Sequence, residues 1–348
     1  MRAAFLTATR QFAVRETPVP ELAGDHDVLI KMRAVGVCGS DIHYFTDGRI
    51  GEQIIAFPFV IGHEGAGTVE EVGRGVTRVR VGDRIAIDPA VSCGQCDQCR
   101  AGRENTCSSL LFMGCPGQID GCLRDYVVLP EKCCFPVAQA MSFDEATLSE
   151  PLAIALYAVE SSLGATVANS AVAVLGAGPI GLSVLGVLQA KGVGRVYITD
   201  VVADRVAFAS RRSPTWCGNA SGADVVAEIC KREPLLLDVV YECCGKPEAL
   251  HQAIELLKPG GTLAVIGIPE VDEIAFPMHA LRRKEITIKN IRRQNRSTQR
   301  AIELLQKKTV DLTALATHHF SLAQTQEAFD TVAHLRDGVV KAIITFDK

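Results

Sequence analysis

The chain has 348 residues, which is long for a single hydrophobic core, so we expect two domains. Apolar residues make up 48% of it and charged residues 22%, proportions typical of a globular protein in water. The formal net charge of −4 gives no electrostatic reason to expect nucleic acid or an anionic membrane surface as a partner.

The N-terminal stretch "MRAAFLTATR" reaches a second basic residue after only a few apolar ones, which argues against a secretory signal. The longest uncharged run, residues 161–190, is long enough to span a bilayer, but its central "VLGAGPIGLSV" favours a buried strand and helix. We therefore expect a cytoplasmic protein. In that reducing compartment the thirteen cysteines indicate metal ligands and buried thiols in preference to disulfides.

The first 150 residues are predicted to be rich in β-strands. Short apolar alternations such as "DVLIKMRAVGV", "GAGTVEEVG" and "DRIAIDPAV" are separated by turns that contain Gly, Pro and Asp.

From about Ser170 the pattern changes to strands that alternate with helices. The predicted strands are "SAVAVLG", "RVYITD", "LDVVYECCG" and "GTLAVIGIP", and the helices between them include "LSVLGVLQAKG", "VADRVAFASRR" and "PEALHQAIELLK". Strands that are apolar on both faces indicate an α/β domain whose parallel sheet is covered by helices on both sides. The segment 211–224 is predicted as a long loop without an assigned function. From about Arg283 the chain mixes strands with a helix, "QRAIELLQ".

A dinucleotide-binding motif is predicted between the first strand and helix of the α/β domain. Gly176, Gly178 and Gly181 form G-x-G-x-x-G around Pro179 and Ile180. The missing side chains permit a tight turn and close approach of the backbone to a pyrophosphate, which the helix N-terminus would bind. A glycine-rich turn in an α/β domain that binds no nucleotide is the alternative.

Two further residues are candidates for contacts with the dinucleotide. Asp200 ends the next strand, where a carboxylate accepts hydrogen bonds from a ribose diol and repels a 2′-phosphate, so we expect NAD in preference to NADP. Arg205 lies five residues further on. It either flanks the adenine or is a solvated helix charge.

A candidate catalytic metal site is spread over three segments of the first 150 residues. "GVCGSDIHYF" contains Cys38, "IGHEGAG" contains His63 and Glu64, and "LSEPLAIALYAV" contains Glu150. Each residue alone has an ordinary structural explanation, such as a small core thiol or a surface carboxylate. Together with a nucleotide domain they resemble the thiolate, imidazole and carboxylate ligands of a tetrahedral zinc site with one open position.

Residues 92–108 contain four more cysteines in the spacing C-x2-C-x2-C-x7-C: Cys93, Cys96, Cys99 and Cys107. The expected compartment disfavours a disulfide knot, and the last spacing fits neither common ferredoxin pattern. Four thiolates with no imidazole and no open position indicate a closed structural zinc site. We therefore predict that this lobe is a structural metal site and is separate from the catalytic site.

The chain resembles the zinc-dependent medium-chain dehydrogenases over essentially its whole length, and their polyol branch (sorbitol or L-iditol type) in particular. The resemblance rests on "GVCGSDIHY", "DGRIGE", "GHE", the four-cysteine lobe, "SEPL", "GAGPIG" and the strand-end Asp200. It implies a β-rich GroES-like catalytic domain over residues 1–152 and 287–348, interrupted by a Rossmann NAD-binding domain over residues 153–286. The active site is expected in the cleft.

The resemblance also implies a role for each matching residue of the catalytic zinc site. Cys38 and His63 correspond to zinc ligands, Glu64 to a residue that ligates zinc in some states, and Glu150 to a fourth ligand that acts directly or through water. The structural lobe would hold a second zinc ion in each subunit.

Five other positions correspond to residues that handle the substrate and its proton. Ser40 and His43 match a relay that passes the substrate proton outward by way of the cofactor ribose. Tyr44 matches a substrate-pocket aromatic and Arg293 a polyol-binding arginine. Gln294 stands where the animal sorbitol enzymes have tyrosine, which leaves the particular polyol open.

The expected reaction is the reversible oxidation of a secondary hydroxyl of a polyol to a ketose, with hydride transfer to NAD. The open alternatives are L-threonine 3-dehydrogenase, 2,3-butanediol dehydrogenase and sugar-phosphate or aminocyclitol dehydrogenases of the same superfamily. A non-catalytic nucleotide-binding or structural protein on the same scaffold is a more remote one. The resemblance implies a homo-oligomer, a tetramer or a dimer.

Overall fold

The computed structural model describes residues 1–163 and 167–347. The chain forms two compact units. Met1–Glu150 and the residues from Thr298 onward make the first unit, and Pro151–Ser297 makes the second.

The first unit begins with eleven strands and three helices. The strands are β1 Arg2–Ala8, β2 Gln11–Glu16, β3 Asp27–Gly36, β4 Arg49–Ile50, β5 Gln53–Ile54, β6 Glu64–Val72, β7 Arg84–Ile87, β8 Ala90–Val91, β9 Leu111–Phe112, β10 Tyr126–Pro130 and β11 Cys134–Pro136. The helices are α1 Gly39–Asp47, α2 Asp97–Arg100 and α3 Phe143–Thr147.

The described residues of the second unit form six helices and six strands. The helices are α4 Ser149–Ser162, whose first two residues belong to the first unit, α5 Pro179–Ala190, α6 Ala203–Ser210, α7 Val225–Arg232, α8 Pro247–Leu256 and α9 Met278–Lys284. The strands are β12 Ala171–Leu175, β13 Arg195–Asp200, β14 Trp216–Asn219, β15 Leu237–Glu242, β16 Leu257–Val265 and β17 Thr287–Asn290.

The chain then returns to the first unit through α10 Thr298–Gln306, β18 Ala316–Ser321, α11 Thr325–Ala333 and β19 Lys341–Thr345. Its main sheet runs in the order β11-β7-β6-β3-β19-β18, and β10 also pairs with β3. The pairing of β3 with both β6 and β19 is antiparallel, and it sets Gly36 opposite Glu64 and opposite Ile343. The C-terminal strand is therefore part of the framework that positions Glu64.

The second unit has the predicted parallel sheet, in the order β14-β13-β12-β15-β16-β17. Strand β12 is buried along its whole length, which matches its uninterrupted apolar sequence. This order is that of a Rossmann fold, in which ligands bind beyond the carboxyl ends of the strands. The predicted α/β architecture, a β-rich domain plus a doubly wound domain, is confirmed.

Three details of the second unit differ from the sequence-based expectation. The segment 211–224 is not a plain loop, because β14 lies within it and pairs in parallel with β13. The return to the first unit falls after Ser297 and not at residue 287, because β17 pairs in parallel with β16 and so extends the Rossmann sheet. The first crossing, after Glu150, lies two residues before the expected one.

No helix among the described residues is long and apolar enough to cross a membrane. The uncharged run 161–190 contains β12 and α5, as expected from its glycines and proline. Residues 164–166 of that run lie outside the described part of the chain.

Candidate active site and metal centres

The four cysteines of the lobe come together in the structure. The sulfur atoms of Cys93, Cys96, Cys99 and Cys107 all lie within 4.8 Å of one another, and none of them is in a disulfide. Two of the sulfur separations are 3.8 Å, between Cys96 and Cys107, and 4.0 Å, between Cys93 and Cys99. A tetrahedron with zinc–sulfur bonds of about 2.3 Å has edges of about 3.8 Å, so the donor set and its size fit a structural zinc ion.

Backbone N–H groups stabilise the thiolate forms in this lobe. Cys93 donates to the sulfur of Cys107, Cys96 to that of Cys93, and Cys99 to that of Cys96, at 3.3, 3.4 and 3.5 Å. The N–H groups of Cys99 and Ser108 lower the pKa of Cys96 to about 5. Cys96 is therefore a thiolate near neutral pH, whereas burial and hydrogen bonds with Cys96 and Cys107 raise the pKa of Cys99 to about 12.

A second group of possible metal ligands lies elsewhere in the first unit. Ligand atoms of Cys38, His63 and Glu64 lie within 4.8 Å of one another, and His63 and Glu64 are buried. Cys38 is the N-cap of α1, and Glu64 is the first residue of β6. A Cβ atom on Gly36 would lie 2.2 Å from Oε2 of Glu64, so this strand end requires glycine for the carboxylate to fit. The mixed sulfur, nitrogen and oxygen donors fit a catalytic zinc ion.

Asp41 orients this second group, and sequence reasoning missed its role. Its Oδ1 lies 3.3 Å from Nδ1 of His63, and its Oδ2 accepts a hydrogen bond from the backbone of Cys38. Burial opposes the charged form of His63, but Asp41 and Cys38 outweigh it and raise the pKa of His63 well above its usual range. A carboxylate on Nδ1 leaves Nε2 for a metal ion, the arrangement usual for zinc-binding histidines.

Lys341 is a second residue that sequence reasoning missed. Its Nζ lies 2.8 and 2.6 Å from the two carboxylate oxygens of Glu64 and donates to the carbonyl of Val37 at 3.1 Å. Only 2% of Lys341 is exposed. Burial disfavours its charge, but Glu64 and Cys38 reverse that effect and raise the pKa of Lys341. A lone lysine in the apolar strand "VVKAIITF" was the available signal.

Glu150 lies near this group but is not one of the three mutually adjacent residues. It is 5% exposed, and its Oε2 has no hydrogen-bond partner among the described residues. Burial, with Glu64 as a further contributor, raises the pKa of Glu150 to about 7. A buried carboxylate with an unsatisfied oxygen is costly unless a cation lies nearby, which fits a role beside a metal ion.

Helix α1 carries three of the five residues predicted to handle the substrate and its proton. Ser40 and His43 are half-buried and three positions apart, so they share one face of the helix. Nδ1 of His43 lies 3.8 Å from Oδ2 of Asp47, which is exposed. Tyr44 is buried, and its hydroxyl lies 3.2 Å from Oε1 of Gln53.

The glycine motif has the geometry of a dinucleotide-binding turn. Gly176 has a φ of 105°, and Gly178 is the N-cap of α5, with Pro179 and Ile180 in its first turn. A Cβ atom on Gly181 would lie 1.8 Å from the carbonyl oxygen of Gly176, so the turn and the helix approach each other too closely for a side chain.

Asp200 and Arg205 both lie at this turn. Oδ2 of Asp200 accepts a hydrogen bond from the backbone of Ala177 at 2.7 Å, and its Oδ1 accepts one from Val202 at 2.8 Å. The Arg205 guanidinium lies 3.5 Å from the position of a Cβ on Gly178. Burial lowers the pKa of Arg205, and Asp200 opposes that shift.

Arg293 and Gln294 lie in the loop between β17 and α10, within the second unit. Arg293 has a φ of 54°, and Oε1 of Gln294 accepts a hydrogen bond from the backbone of Ser297 at 2.7 Å. Their roles in substrate binding stay predictions.

Residues 24–139 match the family described as the alcohol dehydrogenase GroES-like domain, and residues 179–307 match the zinc-binding dehydrogenase family. A sorbitol dehydrogenase of Bacillus subtilis (strain 168) is 34% identical over 345 residues, which cover 99% of this chain and 97% of that protein. The protein belongs to the zinc-binding dehydrogenase family. It is an oxidoreductase, and the resemblance stated from its motifs is confirmed.

Two further proteins are similar to this dehydrogenase over most of its length. A D-xylulose reductase A of Aspergillus oryzae is 34% identical over 323 residues, which cover 91% of this chain and 89% of that protein. A zinc-binding dehydrogenase structure from Sinorhizobium meliloti 1021, bound to NADP, superposes with a TM-score of 0.89 at 30% identity over 99% and 98% of the two chains. The polyol branch predicted from the sequence is therefore confirmed.

Proposed function

We propose that the protein catalyses reversible oxidation of a secondary hydroxyl of a polyol to a ketose, with NAD as hydride acceptor. The observation that carries this proposal is the group of half-buried Cys38 with buried His63 and Glu64, and Glu150 nearby. Similarity over nearly the whole chain to a protein named sorbitol dehydrogenase supports the substrate class.

The residues of the proposed site have two kinds of role: some would bind the metal ion, and others would transfer the substrate proton. When bound, zinc supplies a Lewis acid beside the substrate hydroxyl and the nicotinamide supplies a hydride acceptor. Cys38 and Nε2 of His63 would hold the metal, with Asp41 fixing the histidine ring. Glu64 and Glu150 add negative charge nearby, and Lys341 compensates part of it.

Ser40 and His43 form the proposed proton route along α1. Ser40 takes the substrate proton at Oγ, and His43, 20% exposed, releases it toward solvent. Ser40→Ala and His43→Ala should each lower turnover at neutral pH by at least about tenfold. Turnover equal to wild type across neutral pH in both variants would contradict the relay.

The substrate class is tested by NADH absorbance with sorbitol, xylitol, L-threonine, 2,3-butanediol and ethanol supplied separately to the zinc-loaded enzyme. The proposal expects the highest kcat/KM with sorbitol or xylitol. Activity confined to threonine or butanediol would retain the dehydrogenase chemistry and reject the polyol. No turnover of any of the five would point to a phosphorylated or cyclic substrate.

We propose NAD over NADP because the carboxylate of Asp200 sits at the glycine turn, where it would repel a 2′-phosphate. Arg205, close to Gly178, provides a nearby positive charge that could bind such a phosphate once the repulsion is removed. Asp200→Ser should therefore raise the NADP-to-NAD ratio of kcat/KM. Equal use of both cofactors by the wild-type enzyme would contradict the assignment.

A further inference from the structure

Glu242, the last residue of β15, carries a fully buried carboxylate at the carboxyl end of the parallel sheet. Its Oε1 accepts hydrogen bonds from the backbone N–H groups of Cys244 and Gly245, at 2.7 and 2.6 Å. Its Oε2 has no hydrogen-bond partner among the described residues. Burial of a carboxylate costs free energy unless the group is hydrogen-bonded, so we expect these two N–H bonds to be the reason for an acidic residue at this strand end.

The main chain of Glu242 binds a second loop, the one that follows β16. Its carbonyl oxygen accepts hydrogen bonds from the N–H groups of Ile266 and Gly267, at 2.9 and 3.1 Å. A Cβ atom on Gly267 would lie 2.2 Å from the backbone nitrogen of Gly245 and 2.7 Å from Oε2 of Glu242. The loops after β15 and β16 are therefore in direct contact, and both are hydrogen-bonded to Glu242.

The loop after β15 also contacts the glycine turn predicted to bind the dinucleotide. Cys243 donates its backbone N–H to the carbonyl of Leu175, the last residue of β12, at 2.8 Å. A Cβ atom on Gly176 would lie 3.2 Å from the carbonyl carbon of Cys243 and 3.2 Å from the Cβ of Cys244. The ligands of a Rossmann fold bind beyond this edge of the sheet. The loop after β15 therefore packs directly against the turn at the edge where a dinucleotide would bind.

We propose that Glu242 is a positioning residue for the dinucleotide. Its carboxylate holds the loop 243–245 against Gly176 and so keeps the glycine turn in the shape that binds the cofactor. Glu242 itself takes no part in hydride or proton transfer. A loop that must be ordered when a ligand binds lowers the affinity, so loss of the two N–H bonds should weaken dinucleotide binding. The identity of the ligand rests on the proposed function, whereas the hydrogen bonds of Glu242 do not.

The first test separates the length of the side chain from its charge. Glu242→Asp keeps the charge but is shorter by one methylene, so its carboxylate no longer reaches the two N–H groups. The Kd of NADH for this variant should rise about tenfold. Glu242→Gln keeps the length and one carbonyl acceptor, so its Kd should stay within about threefold of the wild-type value. Fluorescence titration of the zinc-loaded protein with NADH measures both values without substrate or turnover.

The matched control is Asp238→Ala. Asp238 lies near the other end of β15, where its Oδ2 also accepts a backbone hydrogen bond, from Ala171 at 2.8 Å, and its Oδ1 pairs with Lys258. This variant should lower the thermal midpoint and leave the Kd of NADH at the wild-type value, because the contacts of Asp238 are far from the carboxyl ends of the strands.

Three results of these titrations would overturn the proposal. The first is a wild-type Kd in Glu242→Asp. The second is an equal rise of Kd in Asp238→Ala, because NADH binding would then respond to any destabilisation of this strand. The third is a larger rise in Glu242→Gln than in Glu242→Asp, because charge and not reach would then be decisive.

The second test needs no nucleotide. Amide hydrogen exchange, followed by mass spectrometry, measures the protection of the peptide that contains Cys244 and Gly245. Exchange of this peptide should be faster in Glu242→Asp than in the wild type and unchanged in Asp238→Ala. Equal protection in the wild type and Glu242→Asp would reject the role of the carboxylate. A wild-type protein that binds NADPH in place of NADH would reject the proposed preference for NAD, and the same titrations with NADPH would then decide the role of Glu242.

Discussion

The two metal-ligand groups of this dehydrogenase are built in opposite ways. The lobe takes four identical ligands from residues 93–107 and fixes them with backbone N–H groups of the same segment. The proposed catalytic group of Cys38, His63 and Glu64 takes different ligands from separate segments, and its charges are balanced by Asp41 and by Lys341, which is 277 positions from Glu64. A local motif suits a closed structural site, whereas a site with an open position needs support from the wider fold.

The largest expected effect is the loss of catalytic activity when one ligand of the proposed catalytic group is removed. His63→Ala removes one ligand and should lower kcat/KM by about a thousandfold, since the metal contributes several kcal/mol to transition-state stabilisation. Zinc content should fall from two ions to one per chain while the lobe stays loaded. Two retained zinc ions together with the loss of activity would show that His63 acts in some other way.

The matched experiment removes one ligand of the four-cysteine lobe instead. Cys99→Ser should also remove one zinc ion per chain, but it should lower the thermal midpoint more than His63→Ala and reduce kcat/KM much less. Metal analysis, thermal unfolding and kinetics on the two variants side by side test the separation of roles. Full zinc content in Cys99→Ser would make the lobe assignment wrong.

Much of this comparison could be predicted from the sequence, and the reason lies in how local each feature is. The lobe spacing, the glycine turn and Asp200 are short-range patterns, and the structure keeps each of them together. Lys341 was missed because its contact with Glu64 is set by the pairing of β19 with β3, far from Glu64 in the sequence. Strand β14 was missed because it is four residues long and lies among turn-forming residues.

The buried pair of Lys341 and Glu64 tests how far the catalytic group depends on distant residues. Lys341→Met leaves the Glu64 carboxylate buried without its ammonium partner and should lower the free energy of unfolding by about 3–5 kcal/mol. Urea unfolding measures the change. Lys191→Met is the control, because the more exposed pair of Lys191 and Glu160 should contribute no more than about 1 kcal/mol. Equal losses of unfolding free energy in the two variants would show that the buried pair contributes no more to stability than the exposed pair.

The smallest expected effect on stability concerns Glu131. Its carboxylate accepts hydrogen bonds from backbone N–H groups, as the sulfurs of the lobe do, but it is not a predicted metal ligand. Glu131 accepts N–H bonds from Thr77 and Arg78 at 2.8 Å, and these bonds, with His26 as a further contributor, lower the pKa of Glu131 from 4.5 to about 2. Since the folded pKa lies below the unfolded one, this stabilisation is fully present above pH 4.5 and is lost as the pH falls toward 2.

Glu131→Gln should therefore lower the free energy of unfolding at pH 7 by about 1–2 kcal/mol and by much less near pH 2. Urea unfolding of the variant and the wild type at several pH values between these limits gives the difference curve. A difference that did not shrink toward low pH would mean that packing and not charge accounts for the loss. A difference that shrinks would show that the N–H groups of Thr77 and Arg78, together with His26, stabilise the Glu131 charge in the first unit without a metal ion.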